Sequence, residues 1–255
     1  MKQTNLHKTT RTWRFADDHM AETDVHLVIE QELMVYINEE YLATLTSSPG
    51  SERELALGYL LSEAVLNLDS VISSLECCPG RINITVSHPL SPGPSEGIKP
   101  YRAPDNIAAA SSNANWSRSN NTRYHAAHLL YLMHELDRKS HTFKLTGGVH
   151  TAALADNQSM LASYEDIGRH NAVDKVVGHA YLHQIPLADK CLILSGRITR
   201  EIMAKAIRNK IPVVLSRSAP TLHAAEWAEQ AGITLLGFAR GQRFNVYSHP
   251  QRIIE

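Results

Sequence analysis

The chain has 255 residues, 43% of them hydrophobic and 20% charged, and its 25 Lys and Arg nearly balance 26 Asp and Glu to leave a formal charge of -1. That balance exerts no general pull on nucleic acid or an anionic membrane, so any anion site has to be local. There is no apolar run long enough to span a bilayer, no apolar core of a signal peptide in MKQTNLHKTTRTWRF, and only three cysteines, so the expectation is a cytoplasmic protein without a disulfide framework, a membrane or a nucleic-acid partner.

In chain order, DVHLVIE, LMVYIN and YLATLT alternate as short strands joined by polar turns. SPGSERELALGYLLSEAVL follows. Ser51 with Glu54 reads as a capping box, and Leu55, Leu57, Leu60, Leu61 and Val65 give the apolar face of a helix. Cys77 and Cys78 are adjacent and lack the spacing of a zinc site. RINITV is a further strand. Residues 1–88 thus read as a small α+β unit. Residues 89–122, rich in Pro, Gly, Ser and Asn, read as a mobile loop or linker.

Residues 123–255 are more regular. A helix over RYHAAHLLYLMHELDRK precedes FKLTGGVHTAALA. Then strands MLASYED, KCLILSG, IPVVLS and ITLLGF alternate with helices GRHNAVDKVVGHAYLHQ, TREIMAKAIRNK and PTLHAAEWAEQAG. Continuous Val, Ile and Leu runs suit strands buried on both faces, with Cys191 a small apolar residue within one of them. The alternation implies a three-layer α/β/α domain of mainly parallel strands.

In such a sheet, ligands sit where strand ends meet helix N-termini. Here each predicted junction is polar or carries glycine. The clusters are Thr146, Gly147, Gly148 and His150; Glu165, Asp166, Gly168, Arg169, His170 and Asn171; Ser195, Gly196 and Arg197; Ser216 to Thr221; and Phe238 to Arg243. Any one loop is explained by helix capping and turn chemistry. Five together on one edge form a basic rim with free backbone N–H groups, suited to a phosphorylated ligand. Phe238 or an arginine plane can stack on a flat base. Glu165 and Asp166 either orient the arginines or accept from a base edge. Asp174 and Lys175 either brace them by ion pairing or form a solvated helix face.

GxxxxGK[ST], GxGxxG after a first strand, GxSxG and the H-x-E with later P-C-x-x-C of zinc deaminases are all missing. A nucleotide hydrolase or deaminase is therefore the weakest reading.

TGGVHTAAL, EDIGRHNAVDKVVG, LSGRITREIMAKA, SRSAPT and LLGFARGQRFNVYS resemble, in order, the formate dehydrogenase accessory protein family FdhD/NarQ, over about residues 24–249. The resemblance implies a fold similar to cytidine deaminase without its zinc. It further implies a homodimer, binding of molybdenum bis(molybdopterin guanine dinucleotide) as cargo, and passage of sulfur to that cofactor from a cysteine desulfurase before insertion into formate dehydrogenase. The family's cofactor-binding segment falls on Phe238, Ala239, Arg240, Gly241, Gln242 and Arg243. Its C-x-x-C loop, whose first cysteine is the persulfide carrier, falls within Ser112, Asn113, Ala114 and Asn115, where there is no cysteine. A persulfide needs a thiolate, so the alternative is a chaperone that holds the cofactor without passing sulfur.

Overall fold

The computed structural model describes residues 5–87 and 120–255. Nearly all of the 89–122 segment, including Ser112, Asn113, Ala114 and Asn115, lies outside the described residues. Strands β1 (His7–Ala16) and β2 (His19–Val28) form a two-stranded hairpin. β3 (Gln31–Ile37) and β4 (Glu40–Ser47) lead into helix α1 (Glu52–Ser62), then β5 (Ile72–Cys78) and β6 (Arg81–Val86). These four strands form a sheet in the order β4-β3-β6-β5. β1 and β5 were not among the expected strands.

The capping box does not form. Ser51 sits in the left-handed region, with φ 61°, instead of the extended backbone usual at a helix N-cap, and its side chain makes no cap hydrogen bond. Glu52 takes the turn instead, accepting from the Gly50 N–H at 2.8 Å and from Gln31 Nε2 at 2.9 Å.

The C-terminal part contains β7 (Tyr124–His125), α2 (Ala126–Lys139), α3 (His141–Thr146), β8 (His150–Ala155), β9 (Met160–Asp166), α4 (Arg169–Leu182), β10 (Cys191–Leu194) and α5 (Arg200–Arg208). β11 (Val213–Ser216), α6 (Leu222–Ala231), β12 (Thr234–Arg240), β13 (Arg243–Ser248) and β14 (Ile253–Ile254) complete it. The sheet has six strands in the order β13-β12-β11-β10-β8-β9. It is mixed rather than mainly parallel: β10, β11 and β12 run together, while β8, β9 and β13 are paired antiparallel. FKLT, expected to end a strand, forms helix α3, and the Thr146–Gly148 cluster precedes β8 instead of following a strand.

Strand alternation divides the core. Ala153, Ala155, Cys191, Ile193, Val213, Leu215 and Leu236 meet Leu129, Leu132, Met133 and Leu136 of α2, whose i, i+3, i+4, i+7 spacing makes one apolar stripe. Ala152, Leu154, Leu192, Leu194, Val214 and Leu235 belong to a second cluster with α1, α4, α5, α6 and the four-stranded sheet. That cluster runs unbroken from the N-terminal strands to the C-terminal sheet.

The seam is α1 against α4. A Cβ on Gly58 would lie 1.7 Å from the Asp174 carbonyl oxygen, and one on Gly178 would lie 1.9 Å from that of Glu54. The two helix backbones touch, which only glycine permits. Asp174 and Lys175, on the same helix, are 1% exposed rather than solvated. Asp174 accepts from Lys205 Nζ at 2.7 and 2.6 Å, and Lys175 Nζ lies 2.7 Å from Asp166 Oδ2.

Candidate functional site

Topology gathers the predicted clusters along one end of the six-stranded sheet. The ends of β10, β11 and β12 share that end because they are parallel. β8 runs the other way, so its start, at His150, lies beside the end of β10. β9 reverses again and brings Asp166 opposite His150. Arg240 and Arg243 close the row where β12 turns into β13. Six strands spaced about 4.8 Å apart give a rim roughly 24 Å long.

Its middle is built by three segments. Ser195 Oγ accepts from the Thr151 N–H at 2.9 Å, and the Ser195 N–H returns to the Thr151 carbonyl at 3.0 Å. This seats Gly196 against His150: a Cβ there would be 3.2 Å from His150 Nδ1 and 3.7 Å from the Cβ of Arg169. Burial, then Arg169 and Arg197, holds His150 below the ordinary histidine range, so it is a neutral imidazole at pH 7. Burial, with Lys205, Arg169 and His150, pushes His170 down to about 3. Its Nε2 is 3.5 Å from Glu201 Oε2. The Arg169 Nε is buried without a hydrogen-bond partner among the described residues.

The far end of the rim is more open. Ser216 Oγ donates to the Gly196 carbonyl at 2.7 Å and accepts from the Ser218 N–H at 3.0 Å. Phe238 is 42% exposed with φ 52°, its N–H donating to the Ser218 carbonyl. Arg240 Nε donates to the Arg217 carbonyl at 3.0 Å, and Arg217 pairs with Asp137 at 3.3 Å. Gly241, at φ 59°, makes the turn before Gln242. Arg240 and Arg243 face each other in register. Like charges directly opposite on a ladder repel, and an anion between them would offset that repulsion.

Several predicted site residues have other occupations. Ala239 is fully buried against α2, facing away from the rim. Glu165 accepts from the N–H groups of Thr142 and Phe143 at 3.0 Å each and caps α3. Thr221 caps α6 through the Ala224 N–H, at 3.3 Å. Thr146 Oγ1 donates to the Thr142 carbonyl and accepts from the Gly148 N–H. Gly147, at φ 66°, ends α3, and Gly148 lies under Val28, whose Cγ1 would be 2.9 Å from an added Cβ.

Asp166 is fully buried. One oxygen accepts from the Gly168 N–H and from Asn171 Nδ2, both at 2.9 Å, and so organises the first turn of α4. The other meets Lys175 and the Ser48 N–H. It therefore orients Arg169 and His170 from beneath and does not face a ligand. Ser48 itself was not singled out in the sequence, where SSPG reads only as a turn.

The remaining chemistry is sparse. Cys77 and Cys78 are exposed at the end of β5, while Cys191 is buried and its thiol is pushed up by that burial. Burial, then the neighbouring Glu52, raises Cys77. Among the described residues no group of three His, Cys, Asp or Glu is arranged to hold a metal. No described helix is long and apolar enough to cross a membrane.

Fold and rim define a class: an α/β protein whose mixed sheet lines up arginines, a neutral histidine and helix N-termini along one end. The chain belongs to the FdhD/NarQ family, whose model matches residues 28–254. It is 37% identical over 243 residues to the sulfur carrier protein FdhD of Bacillus pumilus, covering 90% of each chain. It is likewise 37% identical over 247 residues to that of Sulfolobus acidocaldarius, covering 93% of this chain and 94% of that one. A crystal structure of a candidate formate dehydrogenase accessory protein from Desulfotalea psychrophila shares the fold, with a TM-score of 0.80 over 98% of this chain and all of that one, at 24% identity.

Proposed function

We propose that this protein is a formate dehydrogenase accessory factor that holds a guanine dinucleotide form of the molybdenum cofactor along the rim. The observation that carries this reading is the set of cationic groups gathered there: Arg169, whose Nε is buried without a hydrogen-bond partner among the described residues, and the facing pair Arg240 and Arg243. Phosphates would accept from these and from the N–H groups at the starts of α4 and α5. A guanine would stack on the exposed Phe238 ring. A rim roughly 24 Å long suits an elongated ligand with phosphates in its middle. The same reading takes the sheet as a relative of the cytidine deaminase fold, and takes the working form as a homodimer that meets a cysteine desulfurase and formate dehydrogenase. The test is calorimetry with GDP, with ADP as control. Binding of GDP alone is expected, and absence of heat and of a thermal shift with GDP would remove the reading.

A second reading concerns sulfur. The relatives are named sulfur carriers, but the loop that would carry the thiol has none at Ser112 to Asn115. Cys191 is buried, and partial burial followed by the neighbouring Glu52 disfavours the Cys77 thiolate. The reading best supported is therefore retention and delivery of the cofactor without sulfur transfer. Incubation with a persulfide-loaded cysteine desulfurase, followed by mass spectrometry of the intact chain, should show no added sulfur. Added sulfur on Cys77 or Cys78 would restore the carrier reading.

A further inference from the structure

The rim belongs to the C-terminal sheet, yet what holds its central turn comes from the other end of the chain. The Ser48 N–H donates to Asp166 Oδ2 at 3.1 Å. Ser48 Oγ accepts from the Ile167 N–H at 3.1 Å, and the Ser48 carbonyl accepts from Lys175 Nζ at 3.3 Å. Two residues earlier, the Thr46 carbonyl accepts from Asn171 Nδ2 at 2.8 Å. Four hydrogen bonds thus pass from the end of β4 to residues 166–175, across more than 110 residues of sequence. Ser48, Asp166 and Lys175 are all at most 1% exposed, so water does not readily replace the bonds that join these three.

We infer that Ser48 is a positioning residue for the rim. Its three polar groups fix the Asp166–Asn171 turn, and through that turn the directions of Arg169 and His170. Ser48 touches no ligand in this account. Its reach is through Asp166, whose other oxygen holds the Gly168 N–H and Asn171. Removing the hydroxyl takes from the half-buried Ile167 N–H its acceptor just before the helix start, and the turn then samples other arrangements. The inference rests on the rim reading for its consequence in binding, but the lock itself is independent of any ligand.

Ser47 supplies a matched control. It is fully buried at the last position of β4, next to Ser48, and its hydroxyl has no hydrogen-bond partner among the described residues. The experiment compares full-length wild type, Ser48→Ala and Ser47→Ala by amide hydrogen exchange, GDP calorimetry and thermal melting. In Ser48→Ala, exchange over Ile167–Asn171 should rise and GDP affinity should fall, each about tenfold, while Ser47→Ala leaves both unchanged. Should Ser48→Ala fail to fold, Ser48→Cys, similar in shape with a much weaker acceptor, is read in the same way. A lower melting temperature with wild-type GDP affinity and wild-type exchange over 167–171 would overturn the inference, leaving Ser48 a stability residue only. Failure of wild type itself to bind GDP would defeat the rim reading and the binding consequence together. Unchanged exchange in Ser48→Ala would defeat the lock alone.

Discussion

The α1–α4 seam and the sheet-end rim are both crowded with charge, and they treat it in opposite ways. At the seam, Asp174 meets Lys205, Asp166 meets Lys175, and all four are at most 2% exposed. At the rim, Arg240 faces Arg243 and the Arg169 Nε has no partner among the described residues. A buried charge that loses its partner is costly, so seam charges serve the fold. Cations set side by side, with no acid paired to them among the described residues, contribute little to folding beyond bonds such as that of Arg240 to the Arg217 carbonyl. Under the proposed function, their arrangement answers to a ligand that arrives later.

The comparison can be broken from either side. The largest effect is expected at the seam: Asp174→Ala takes from the buried Lys205 its two shortest bonds, leaving Glu63 at 3.7 Å, and should cost about 3–5 kcal/mol in denaturant unfolding. Gly58→Ala comes next. Its methyl would be driven into the Asp174 backbone, and about 3 kcal/mol or failure to fold is expected, measured by thermal melting.

The third prediction is a pH dependence. Burial outweighs the attraction of Lys205, 3.7 Å away, and raises Glu63 to about 7. A carboxyl whose folded pKa is raised keeps its proton while the unfolded chain loses one. The Glu63 contribution to stability is therefore fully present below the unfolded value near 4.5 and is lost as pH rises through 7. Urea melts across pH 4.5–8 should show that fall, and Glu63→Gln should flatten it.

The smallest effects on stability are expected at the rim. Arg169→Ala and Arg240→Ala should shift unfolding by no more than about 0.5–1 kcal/mol, while GDP affinity drops about ten- to a hundredfold. Lys210→Asn, at the opposite end of α5, should leave that affinity alone. Equal affinity in all three variants would dissolve the distinction between the two regions.

Most of the elements and the family were readable along the chain. The Val, Ile and Leu runs of β10, β11 and β12 are local patterns, as is the stripe on α2. What escaped was long-range. FKLT is apolar enough for a strand, but Glu165, from a distant strand, caps it as a helix. Gly58 and Gly178 were visible inside helical patterns, and glycine there is a sign of close backbone approach. That they mark one contact requires both helices to be placed. Ser48 carried no signal, since a serine in a turn has a local explanation.

From the sequence alone came the rim's composition: which arginines, histidines and glycines stand at element ends, and that the carrier loop lacks cysteine. Whether a polar residue there faces outward or inward was decided only by tertiary structure. Glu165, Asp166, Thr221 and Ala239 share their neighbours' chemistry or position, yet they cap, brace or fill. The physical reason is that a side chain's role depends on which groups it meets across the fold, and those partners lie from a few to more than a hundred residues away.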